Sequence, residues 1–119
     1  MADPDSEHVQ RRDDEEQEAL TLVARIQSSL HEFGPLLDCP GAALRFQDAP
    51  LYNSVFRFDD EMFVTPHLYA TAGRAAPLLH LKRLGPDGMF SRFTSHFDGL
   101  WSDSRPMGED PGRPTRAAV

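Results

Sequence analysis

His80, Lys82 and Asp87 stand in the spacing H-x-K-x4-D, and Lys82 is the only lysine in the chain. Two residues apart on an extended strand, an imidazole and an ammonium group point to the same face. A second polar set, Asn53, Arg57, Asp60 and His67, lies in and around an aromatic-rich segment and could line a pocket for a small phosphate-bearing ligand. Both sets also have a plainer reading. His80 and Lys82 suit the solvated face of a strand that Arg83-Leu84-Gly85-Pro86 ends at once, and Asp87 suits a helix N-cap. Arg57 suits an ion pair with an acidic turn made by Asp59 and Asp60, and Asn53 suits backbone capping. A motif gains meaning only from its structural context, so no catalysis is expected from either set.

Other site chemistries find less support. His67 and His80 with Asp59 or Asp60 lack local metal-ligand spacing, and His31 and His96 lie outside any H-E-x-x-H pattern. Ser54 and Ser91 sit in no nucleophile elbow, and no Gly-rich loop joins a strand to a helix. Cys39 is the only cysteine, which excludes an internal disulfide and a thiolate cluster; a buried apolar role is expected for it. Neither a metal nor a cofactor is expected.

The elements that position these residues must fit in 119 residues, enough for one core. Mean hydropathy is −0.48, and no apolar run approaches the roughly 18 residues of a membrane span, so a cytoplasmic protein without membrane contact is expected. The formal net charge is −7. Residues 1 to 20 hold eight acids and two bases, so direct nucleic-acid binding by this chain is not expected. Ten of the eleven aromatic residues fall between Phe46 and Trp101, which places most of the core there.

Hydrophobic periodicity gives the order helix, four strands, helix. Ala19, Val23, Ile26, Leu30 and Phe33 form one stripe of an amphipathic helix over 13–33, with Asp13 to Glu16 at its positive end and Gly34-Pro35 at its stop. Strands are expected over 42–47, 52–58, 62–68 and 77–83, the middle two joined as a hairpin with an acidic tip. The final helix carries Met89, Phe90, Phe93, Phe97, Leu100 and Trp101, of which Phe93, Phe97 and Trp101 are expected to anchor it to the sheet. These readings define an α+β domain over 13–103, with a flexible acidic arm over 1–12 and a disordered tail over 104–119; deletion of 105–119 is expected to change little.

LYNSVFRFDDEMFVTPHLY (51–69), APLLHLKRL (76–84) and MFSRFTSHFDGLW (89–101) resemble an uncharacterised domain at the C-terminus of XRE-type helix-turn-helix transcriptional regulators. The resemblance covers 3–101 and is most specific in YNSVFRFDDEM and in the spacing of Phe90, Phe93, Phe97 and Trp101. It implies a degenerate half of the phospholipase D fold. That superfamily uses H-x-K-x4-D, with the His as nucleophile, the Lys on the phosphate and the Asp in support, two copies meeting at one phosphate. By strand context the matching place starts at Asn53, with Val55 in the Lys position and Asp60 in the Asp position. An amide and a valine cannot do that chemistry. The resemblance therefore implies a non-catalytic sensor or interaction domain, here without a preceding helix-turn-helix. Its expected partners are a small phosphate-bearing ligand, a second copy of the chain or a helix-turn-helix regulator. The alternatives are a phosphodiesterase whose homodimer joins two His80-Lys82-Asp87 sets, and a truncated or orphan fragment.

Overall fold

The computed structural model describes residues 1–107. In chain order its elements are α1 (Glu7–Glu16), α2 (Leu22–Phe33), a 3-10 turn (Gly34–Asp38), β1 (Arg45–Phe46), β2 (Asn53–Phe58), β3 (Glu61–Pro66), a second 3-10 turn (Gly73–Ala75), β4 (Leu79–Lys82), α3 (Met89–Asp103) and β5 (Arg105–Pro106). The class is α+β. The single four-stranded sheet expected from the sequence is instead two antiparallel sheets: β2, β3 and β4 form one in that order, and β1 leaves it to pair with β5. No described helix is long and apolar enough to cross a membrane.

The β2–β3 hairpin closes on the pair Phe58–Glu61, leaving Asp59-Asp60 as its turn. Asp59 adopts φ 52°, a left-handed conformation that a short polar side chain tolerates better than most. The register puts Val55, Val64 and Leu79 in one row and Met62 beside Leu81 in the next, all on the face that α3 covers. Met62, Val64 and Phe90 are the buried centre, with Phe93 packed against them. The opposite face carries Phe56, Phe63 and His80 in one row and Phe58, Glu61 and Lys82 in the next. Phe56 and Phe58 are exposed there, as one solvated face of an antiparallel sheet allows. Phe90 and Phe93 anchor α3, whereas Phe97 and Trp101 are about two-fifths exposed and stack on each other at 6.1 Å.

The helix expected over 13–33 is two helices. Gln17 ends α1 with φ 52°, and Thr21 caps α2 by accepting from the Ala24 N–H at 3.1 Å. Asp13 to Glu16 thus lie in the last turns of α1, the wrong end of its dipole. Each has a partner that offsets this or faces solvent: the Asp13 carboxylate accepts from the Leu22 and Val23 N–H groups at the start of α2, and Glu15 and Glu16 hold Arg12. Cys39, expected to be buried, is exposed. Asp87 does not cap α3, whose N-cap is Gly88 with no side-chain bond.

Residues 1–12 differ most from the flexible arm expected of them. Gln47 donates to the Met1 carbonyl and the Asp3 N–H donates to the Gln47 carbonyl, both at 2.9 Å. Ser6 caps α1 through the His8 N–H, and Val9 is fully buried. Asp3 is buried and receives the Arg105 guanidinium at 2.6 Å, so β5 is tied to the N-terminus. Ser104, also within the expected tail, is buried and bonded to Arg45 Nε. The rest of that tail, 108–119, lies outside the described residues. A chain ended at Asp103 should therefore be about 1.5 to 3 kcal/mol less stable than one ended at Met107, the scale of hydrogen bonds to charged groups. Equal urea midpoints for the two would show that β5 contributes nothing.

Candidate functional site

His80 and Lys82 share the solvated sheet face, as alternation requires, but both are turned to Glu61 on β3. The Glu61 carboxylate lies 3.3 Å from Lys82 Nζ and 3.6 Å from His80 Nε2, and the His80 ring stacks on Phe63 at 4.7 Å. The ammonium already has a carboxylate partner, and all three side chains are well exposed. Asp87 is an exposed residue of the bend before α3. The arrangement matches a solvated strand face, where ion pairs contribute little and water screens the charge.

The second set splits. Arg57 lies four residues along β2 from Asn53, about 13 Å away, where its Nε donates to the Asp59 carbonyl at 3.2 Å and its guanidinium covers the Phe90 ring at 5.4 Å. Asp60, in the turn, pairs with Arg83. These two are structural residues of the hairpin tip. Asn53 and His67 remain together at the other end of the hairpin and border one cavity. His67 is held on both ring nitrogens, Nδ1 at 2.8 Å from the Leu51 carbonyl and Nε2 at 3.2 Å from Ser54 Oγ.

That cavity, about 390 Å³, lies among α2, the start of β2 and the second half of α3, and residues from both ends of the described chain complete its wall. Its apolar lining includes Ile26, Leu51, Phe97, Leu100 and Trp101. Its charged lining is Arg12, Arg25, Arg45 and the Met1 ammonium against the single carboxylate of Glu16. Burial lowers the pKa of the Met1 amine below its usual value, and the amine donates to the Arg45 carbonyl at 3.1 Å. Glu16 is held between Arg12 Nε and Arg25 Nη2, both at 2.7 Å. Arg45 covers the Trp101 ring at 5.5 Å and donates to the Ser104 carbonyl.

Two residues of this wall, Arg25 and His96, each also hold a ring or guanidinium nitrogen, Arg25 Nε and His96 Nε2, that is buried without a hydrogen-bond partner. His96 and Asn53 also border a neighbouring, more open groove of about 610 Å³ with Tyr52 and Arg92. Of the residues named from the sequence for a pocket, Asn53 and His67 line the cavity; Arg25 and His96 line it too and were not named for it. No local signal marks them: Arg25 reads as a polar position of an amphipathic helix and His96 as another, and only packing brings them to one cavity. Among the described residues, no group of three or more His, Cys, Asp or Glu could hold a metal ion.

No family model, curated protein or solved structure matches this chain. Its chemistry is read from the side chains themselves.

Proposed function

We propose that the chain is a non-catalytic sensor or interaction module of the transcriptional-regulator type, acting in the cytoplasm and responding to a small ligand in the 390 Å³ cavity. The observation that carries this reading is the make-up of the cavity wall: Met1 and Ala2, α2, β2, α3 and Ser104 all contribute, so a bound ligand would tie together segments distant in sequence. A ligand that binds only this closed arrangement stabilises it by mass action. The regulator type rests on the resemblance of 51–69, 76–84 and 89–101 to the C-terminal domain of XRE-type regulators, as does the degenerate phospholipase D-like ancestry. The exposed Phe56 and Phe58 on the uncovered sheet face suit the second copy or regulator partner that this reading implies. Against catalysis stands Glu61, whose carboxylate already partners the Lys82 ammonium that a phosphate would need.

Two measurements test the reading. Neither the wild type nor His80→Ala should hydrolyse bis(p-nitrophenyl) phosphate above the blank. Hydrolysis by the wild type that the variant loses would assign the chain to the phosphodiesterases. A thermal-shift screen against cellular metabolites should find at least one compound that raises the midpoint by about 5 °C or more, because a ligand at about 100 times its Kd adds about 2.7 kcal/mol. A flat screen would remove the small-ligand half of the reading.

A further inference from the structure

Resting on the interaction half of that reading, we infer that an extended, acid-bearing peptide segment of a partner protein adds to β2 as a further strand, beside α3. β2 is an end strand in the order β2-β3-β4. Its register pairs Asn53 with Pro66 and Phe58 with Glu61, and the His67 N–H donates to the Tyr52 carbonyl at 3.0 Å. In an antiparallel pair, alternate residues turn both backbone groups to the partner strand. Ser54, Phe56 and Phe58 therefore bond β3 in step with Tyr52, and Asn53, Val55 and Arg57 turn their N–H and C=O groups outward. None of these three bonds any other backbone group among the described residues. Pro66, which has no N–H, falls opposite Asn53, where the ladder to β2 needs none. Unpaired groups at every second residue repeat about every 6.7 Å, the repeat of another strand's backbone. The far edge of the sheet is less open, since β4 has only four residues and carries Lys82, both of which blunt an edge.

The chemistry of the segment follows from what lies beside the start of β2. The open groove of about 610 Å³ is bordered there by Tyr52 and Asn53, and on the other side by Met89, Arg92, Phe93 and His96. Those four stand at i, i+3, i+4 and i+7, one stripe of α3. A groove between a strand edge and a helix suits a peptide that makes main-chain bonds to the edge and sets alternate side chains on the helix. Met89 is exposed, and its flexible thioether with Phe93 offers an adaptable apolar floor. Arg92 is exposed, and its guanidinium has no hydrogen bond or ion pair among the described residues. No acid borders the groove, although the whole chain carries −7. On an added strand, residues i and i+2 share the face toward α3. The segment thus carries an apolar side chain for Met89 and Phe93 and, two places away, a carboxylate for Arg92. A second copy of β2 answers this poorly: Asn53–Phe58 holds no acid, and pairing about Val55 would set the copy's Arg57 opposite Asn53, toward Arg92.

The intact chain is used to select from a phage-displayed library of random heptapeptides, and the enriched peptide is synthesised. An apolar residue two places from an Asp or Glu is expected in it. Methylating its backbone nitrogens one at a time should block binding at alternate positions only, because every second N–H of an added strand faces β2. Asn53→Pro removes one outward N–H at the first residue of a strand, where proline is tolerated, and should weaken binding about fivefold. Arg92→Glu changes an exposed residue, so folding is kept, and should weaken binding at least about threefold, an effect that about 0.5 M salt reduces. An empty selection, blocking without alternation, or binding unchanged in both variants would overturn the inference. So would a dimer in size-exclusion chromatography that Asn53→Pro dissociates, which gives the edge to a second copy. If no peptide binds while the metabolite screen gives a thermal shift, the sensor reading stands and this surface falls. A bound peptide with a flat screen keeps the interaction half alone. If both fail, both readings fall.

Discussion

Phe90→Ala is expected to cost about 3 to 5 kcal/mol of stability, against about 5 to 15 kcal/mol for a whole domain, and so to leave a large unfolded fraction. Phe90 is 4% exposed at the centre of the sheet-facing cluster, in company with Met62 and Val64, which are fully buried. Removing its ring deletes the largest apolar group in that cluster and leaves a cavity that a three-stranded sheet has few neighbouring side chains to fill. The guanidinium groups of Arg57 and Arg83 also lie over the ring, at 5.4 and 5.8 Å, and lose that surface. Phe97→Ala is the contrast. Phe97 is 43% exposed, so the same substitution should cost only about three-fifths as much. Urea midpoints of the two variants decide it: an equal or larger loss from Phe97→Ala would move the centre of the core to the second half of α3.

Arg12→Ala should be comparably damaging, at about 3 to 5 kcal/mol, although Arg12 is charged and lies near the N-terminus. The residue is 8% exposed. Its guanidinium reaches Glu16 through Nε at 2.7 Å, Glu15 and the Leu68 carbonyl through Nη1 at 2.6 and 2.9 Å, and the Thr71 carbonyl through Nη2. One planar fork thus fastens α1 to the segment after β3. Lysine offers no such fork, so Arg12→Lys should recover only part of the loss. Part of the cost is the Glu16 carboxylate, whose side chain is 6% exposed and which keeps only Arg25 as a partner, and part is the loss of the donors to the Leu68 and Thr71 carbonyls. Adding Glu16→Gln to Arg12→Ala should therefore be less damaging than the sum of the single substitutions, a coupling that a double-mutant cycle measures. A loss of only about 0.5 kcal/mol for Arg12→Ala would class the network with ordinary surface ion pairs.

The sequence by itself determined the features that depend on local period and turn chemistry. Alternation around Asp59-Asp60 made the hairpin legible, the stripe of Val23, Ile26 and Leu30 made α2 legible, and Phe90 with Phe93 marked the helix that covers the sheet. The α+β class follows from these. Asn53 and His67 were named as pocket residues through the phospholipase D comparison, and packing places both on the wall of one cavity. Tertiary structure alone decided the rest. The break at Gln17 carries no glycine or proline, and what holds it is the Asp13 carboxylate on the first N–H groups of α2. β1 reads as one more strand of the sheet, yet its partner is β5, about 60 residues further along. Arg57 and Asp60 belong to the hairpin tip, and Arg25 and His96 to the cavity, for one reason. Periodicity states which face of an element is apolar or polar, but only packing states what that face meets, and a binding site is made by what meets there.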